Sequence, residues 1–107
     1  MNNYTVEFDP AAEKDLATFA NSQVRQIRKM IQRVATNPLL KNEGGYGDPL
    51  GHKYDLDLTG LCKIKLLKLG IRAIYRVVHE GKTMKIIVIS ARADDKACGI
   101  AAKRIRK

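Results

Sequence analysis

The chain has no tryptophan, and only two cysteines, two histidines and three prolines among its 107 residues. Two cysteines, Cys62 and Cys98, make neither a disulfide framework nor, alone, a structural zinc site. His52 and His79 stand in no metal-like or triad-like spacing. No apolar run approaches the ~18–20 residues that a membrane span requires. Met1-Asn2-Asn3-Tyr4 carries no basic segment leading into an apolar stretch, so no secretory signal is read. The glycines of residues 41–51 match no Walker or dinucleotide fingerprint, and a helical rather than a β segment precedes them. These absences disfavour a membrane protein, a disulfide-rich secreted domain and a dinucleotide-binding enzyme. The expectation is a small cytoplasmic domain with no cofactor.

What is present is basic charge and one modest core. Lys and Arg number 20 against 11 Asp and Glu, for a net charge of +9, while 45% of residues are hydrophobic. A chain this long is a single domain, residues 1–107, since domains usually run to ~100–150 residues. The charge suits a polyanionic partner.

Residues 3–8 alternate as a strand, with Tyr4, Val6 and Phe8 on one face. Asp9-Pro10 starts a helix, Asp9 as cap and Pro10 in the first turn. Ala11, Ala12, Leu16 and Phe19 form its apolar face. Asn21-Ser22 interrupts, with Ser22 as the expected cap of a second helix. Val24, Ile27, Met30, Ile31 and Val34 give that helix amphipathic spacing up to Asn37-Pro38. Residues 41–51, KNEGGYGDPLG, hold four of the eight glycines and read as a connector.

From Leu61 three β-rich runs follow, LCKIKLL, IRAIYRVV and MKIIVIS. Turns at Lys68-Leu69-Gly70 and Glu80-Gly81-Lys82 make them antiparallel hairpins. A last helix covers residues 94–105, with Lys103 and Arg104 suited to its C-terminal end. The order β-α-α-β-β-β-α indicates an α+β fold, an antiparallel sheet covered on one face by a helical hairpin.

Chemistry concentrates in the first hairpin. If residues 67–70 form its turn, Leu66 faces Ile71, Lys65 faces Arg72, and Lys63 projects from the same side. A one-residue slip would separate them. Adjacent like charges repel, so a gathered cluster implies an anionic ligand or neighbouring acids. The plainer alternative is a solvated face of lysines on an open sheet. Arg92 follows the last strand; it either reaches the same face or pairs with Asp94 or Asp95. His52 reads as an exposed loop residue, His79 as a residue without a functional role that ends a strand at a turn, and the cysteines as small apolar packing residues. Tyr46 and Tyr54 are candidates to stack a base, whereas Tyr75 shares a face with Ile71 and Val77 and reads as core.

The motifs KIKL at Lys63–Leu66, GIRAIY at Gly70–Tyr75 and VISARA at Val88–Ala93, with a helix ending AAKRI, appear in characteristic order. In this the chain resembles the RelE/ParE superfamily of bacterial toxins from type II toxin–antitoxin systems, its RelE branch most closely. The resemblance spans nearly the whole chain. It implies a ribosome-dependent, metal-independent mRNA endonuclease, in which a ribose 2′-hydroxyl attacks the adjacent phosphodiester. The implied partners are mRNA in the ribosomal A site, with its 16S rRNA, and an acidic antitoxin.

Carried over residue by residue, the family's basic site falls on Lys63, Lys65, Arg72 and Arg92. A frequent catalytic Tyr of the C-terminal helix falls on Cys98, a departure that removes a phenol and implies weaker activity or a different division of labour. Arginines stabilise charge on a phosphorane, and a lysine among cations is a general-base candidate. Lys65 is the better base candidate and Lys63 a phosphate or ribosome contact, with an exchange of these two roles left open. The alternative is a ParE-like toxin that binds DNA gyrase without nuclease activity. A plain RNA-binding module is disfavoured by the absence of aromatic RNP-type motifs.

Overall fold

The computed structural model describes residues 4–91 and 93–105. Strand β1 (Thr5–Phe8) leads into helix α1 (Pro10–Ala17). Asp9 caps α1 as its sequence requires, its Oδ1 accepting from the Ala11 amide at 2.9 Å. Helix α2 (Asn21–Ala35) begins two residues earlier than a Ser22 cap would allow. Its boundary residue is Ala20, whose amide donates to the Gln23 Oε1 at 3.1 Å. The long side chain of Gln23 supplies the reciprocal bond that a serine hydroxyl at position 22 would not. Ile27, Ile31 and Val34 of α2 are buried against the sheet with Ala12 and Leu16 of α1, each large aliphatic contributing about 1.5–3 kcal/mol.

The segment read as a connector folds. After a 3₁₀ turn (Lys41–Glu43) comes strand β2 (Asp48–Lys53), antiparallel to β3 (Leu56–Leu66). β3 therefore starts five residues before Leu61. β4 (Ile71–Val78) and β5 (Thr83–Ser90) follow as expected, and α3 (Asp94–Ile105) closes the chain.

The five-stranded sheet has the order β1-β5-β4-β3-β2. It is mixed rather than purely antiparallel, because β1 pairs with β5 in parallel. The helical hairpin between β1 and the rest of the sheet places β1 beside the last strand instead of its sequence neighbour.

Two cores lie on opposite faces. One contains Cys62, Ile64, Leu66, Ala73, Tyr75 and Ile86 under the helical hairpin. The other contains Leu58, Leu61, Ile74, Ile87 and Val88 under Ala97, Cys98, Ala101 and Ala102 of α3. The second face is thus partly roofed by α3, where the pattern alone suggested an open surface. A bulge between Ile74 and Tyr75 in the β4–β5 pairing lets both Ile87 and Val88 join this second core.

Candidate functional site

Register decides whether the basic residues meet. In the β3–β4 pair Leu66 lies across from Ile71, Lys65 across from Arg72 and Lys63 across from Ile74. Directly opposed residues of an antiparallel pair project to the same side. Lys63, Lys65 and Arg72 therefore share the α3-side face, at the end of the sheet beyond the part that α3 roofs. Arg72 in turn lies across from Ser90 of β5, and Lys63 across from Asp48 of β2.

The surroundings are graded. Lys65 is exposed, while Lys63 and Arg72 are half-buried. The Arg72 Nη1 reaches toward the Gly70 carbonyl of its own turn at 3.5 Å. Asp48, across from Lys63, is bound to Lys41 at 3.2 Å. Among the described residues Ser90 is the one buried polar or charged residue, 7% exposed. It was not singled out from sequence. Its signal lies in the β5 bulge, which puts Val88 and Ser90 on the Arg72 face, and periodicity alone does not show a bulge.

Arg92, expected to complete the basic site, lies outside the described residues. Cys98 is 1% exposed in the core between α3 and the sheet, so its thiol is turned away from solvent. Tyr75 is fully buried and donates to the Pro38 carbonyl at 2.8 Å. Desolvation pushes both the Cys62 thiol and the Tyr75 phenol upward, and the two residues face one another across β3 and β4. Tyr46 is exposed and packs under Arg33, whose Cζ lies 5.8 Å from the ring centroid. His52 is exposed on β2 rather than in a loop, and His79 is exposed at the end of β4.

Two of the loop glycines, Gly45 and Gly47, are required by close packing. A Cβ at Gly47 would stand 2.7 Å from the Tyr75 hydroxyl, and one at Gly45 would enter the Leu39 carbonyl. Among the described residues, no group of three or more His, Cys, Asp or Glu is placed to hold a metal ion. No described helix is long and apolar enough to cross a membrane.

No family model matches the chain, and no curated protein matches its sequence. Solved structures do. A double arginine-to-alanine variant of the Escherichia coli toxin RelE in the free state superposes with a TM-score of 0.75 at 23% identity, over 96% of this chain and 98% of that one. The chain has the fold of the RelE-like toxins. The same E. coli variant bound to an antitoxin RelBc peptide matches the RelE fold seen here with a TM-score of 0.69 at 23% identity, over 97% and 98% of the two chains. The toxin–antitoxin complex RelBE2 of Mycobacterium tuberculosis matches at 0.63 and 26% identity, over 88% and 97%. In the RelE fold of this chain, β3, β4 and the end of β5 carry the basic face, and α3 carries Cys98 into the core beside it.

Proposed function

We propose that the chain is the toxin of a type II toxin–antitoxin system, a metal-independent endoribonuclease that cuts mRNA in the ribosomal A site. The observation that carries this reading is the cross-strand placement of Lys65 opposite Arg72, with Lys63 on the same face. Cations on directly opposed positions of one open face concentrate positive potential where a scissile phosphate can bind.

In the proposed reaction the Lys65 amine takes the proton of the ribose 2′-hydroxyl. The 2′-oxygen then bonds to phosphorus as the P–O5′ bond breaks, and the departing 5′-oxygen takes a proton from water, leaving a 2′,3′-cyclic phosphate and a 5′-hydroxyl. Arg72, with Arg92, bears the charge that develops on the phosphorane oxygens. Lys63 holds a neighbouring phosphate. The buried Cys98 acts by packing and takes no part in proton transfer.

The test is a translating extract in which mRNA ends are mapped by primer extension. Cuts within the A-site codon are expected, lost by a factor of roughly 10²–10³ in Arg72→Ala and roughly 10²–10⁴ in Lys65→Ala. An mRNA carrying a 2′-deoxy nucleotide at the cut position should stay whole. Intact mRNA together with gyrase-dependent DNA breaks would replace this reading with a gyrase poison.

A further inference from the structure

An acid borders the basic face. Asp48 opens β2 and lies directly across from Lys63, so the two side chains project to the same side of the sheet, about 5 Å apart at their Cα atoms. Leu50, two residues on, is buried beneath α3 on that same side. Lys65 stands about 7 Å further along β3. β2 is the edge of the sheet, and the Asp48 side chain is 51% exposed. Its backbone is nonetheless well anchored. The preceding residue, Gly47, donates to the Leu39 carbonyl and accepts from the Lys41 amide, both at 2.9 Å. The Lys41 ammonium meets the Asp48 carboxylate at 3.2 Å. An ion pair this exposed is worth little, so the carboxylate can exchange Lys41 for another donor.

A carboxylate repels phosphate and accepts hydrogen bonds without donating any. Beside an RNA-binding face it is therefore suited to the donors of a base edge and not to the backbone. Base edges differ in this respect. Guanine sets two donors side by side, N1–H and the N2 amine, which match the two carboxylate oxygens. Adenine and cytosine place an acceptor next to their single amine, and uracil flanks its one N–H with two carbonyls; each such acceptor repels a carboxylate.

We propose that Asp48 is a specificity-determining residue, which selects a guanine beside the scissile linkage by accepting from its N1–H and N2 amine. This selection deepens the nuclease reading and rests on it, since the phosphate held by Lys63, Lys65 and Arg72 is what brings a base to β2. Lys41 orients the carboxylate while the site is empty and gives way to guanine.

Fluorescence anisotropy of the full chain compares labelled nine-nucleotide oligouridines whose central base is uracil, guanine or hypoxanthine, the last lacking only the N2 amine of guanine. The parent is expected to bind the guanine oligomer at least about fivefold more tightly than the other two. Asp48→Ala should bind plain oligouridine more tightly than the parent does, because a repelling charge is gone, and should bind all three oligomers alike. Circular dichroism verifies its fold. A merely structural loss would lower affinity for every oligomer and leave their ratio unchanged. Equal affinity of the parent for guanine and hypoxanthine oligomers, or an Asp48→Ala chain that still tells them apart, would overturn the proposal. A-site cleavage is mapped separately. Cleavage by a parent that shows no guanine preference removes only this inference, and a guanine preference lost in Asp48→Ala, in a parent that cleaves nothing, removes only the nuclease.

Discussion

At the scale of single residues the buried face beneath the helical hairpin makes the fold sensitive to alkali. Burial holds the Cys62 thiol above its ordinary 9.0 and the Tyr75 phenol above its ordinary 10.0. The native state keeps both protons while the unfolded chain releases them, so their contribution is complete below about pH 9 and declines above it. Stability is expected to fall by about 1.4 kcal/mol per pH unit once the unfolded thiol titrates, and by about twice that when the phenol joins. Urea midpoints between pH 7 and 10.5 measure this, and Cys62→Ala should flatten the first part of the decline. A wild-type midpoint that holds level to pH 10.5 refutes it. Cys98 obeys a different constraint. The resemblance makes Cys98→Tyr look like the restoration of a catalytic phenol. At 1% exposure among Leu58, Ile74 and Ala101 there is no room for the ring. The substitution should cost about 1–3 kcal/mol by overpacking and should not speed cleavage. A variant that melts like the parent and cuts faster would show that α3 moves aside to present this position.

At the scale of elements the least expected device is a side-chain clasp on the edge of β5. β1 covers that edge only from Thr83 to Ile86. Beyond it the Ile89 amide donates to the Asp15 Oδ2 at 3.1 Å, and the Ile87 carbonyl accepts from the Arg104 Nη1 at 2.8 Å. Asp15 and Arg104 are themselves joined by two bonds of 2.7 and 3.1 Å. One ion pair thus continues the ladder where β1 ends, protects an open edge and ties α1 to α3. Asp15→Ala leaves a half-buried guanidinium and a strand amide unpaired, at a cost of about 2–3 kcal/mol. Thermal melts should drop by roughly 10 °C or more, and the Ile89 amide should exchange faster with deuterium. The double variant with Arg104→Ala should lose less than the sum of the two single losses, by about 1 kcal/mol or more. Strict additivity would count against the clasp. Nothing local announces this pair, since 89 residues separate its members. The Lys65–Arg72 juxtaposition was legible for the opposite reason, because a short turn with Gly70 pins the register of its hairpin. β2 was illegible because Pro49 and Gly51 both argue against a strand. The edge position excuses the proline, and the register shift between Pro49 and Gly51 accommodates the glycine at φ +58°. Its turn gives no Asn-Gly signal either, since Tyr54 and Asp55 adopt the positive φ values of 53° and 58° themselves.

At the scale of the whole molecule, charge and topology act together. A net +9 attracts any polyanion, but attraction alone selects no phosphate. Selection under the proposed reading comes from the sheet, which gathers Lys63, Lys65 and Arg72 on one face while α3 and its apolar residues close the rest. Bound single-stranded RNA should therefore meet a small, fixed number of cations rather than the whole surface. If Lys63, Lys65, Arg72 and Arg92 neutralise four phosphates, the logarithm of the binding constant should fall against the logarithm of salt with a slope of roughly −2.8. Arg72→Ala should reduce that slope by about 0.7. Replacing Arg25, exposed on α2 rather than on the β3–β4 face, with Ala should lower affinity slightly and leave the slope nearly unchanged. Fluorescence anisotropy of a labelled 2′-deoxy oligonucleotide between 50 and 300 mM potassium chloride, about the range in which such electrostatic terms dominate, measures both quantities. Equal slopes for the parent and Arg72→Ala would mean that the RNA reads the diffuse charge of the molecule and not the cations that β3 and β4 bring together.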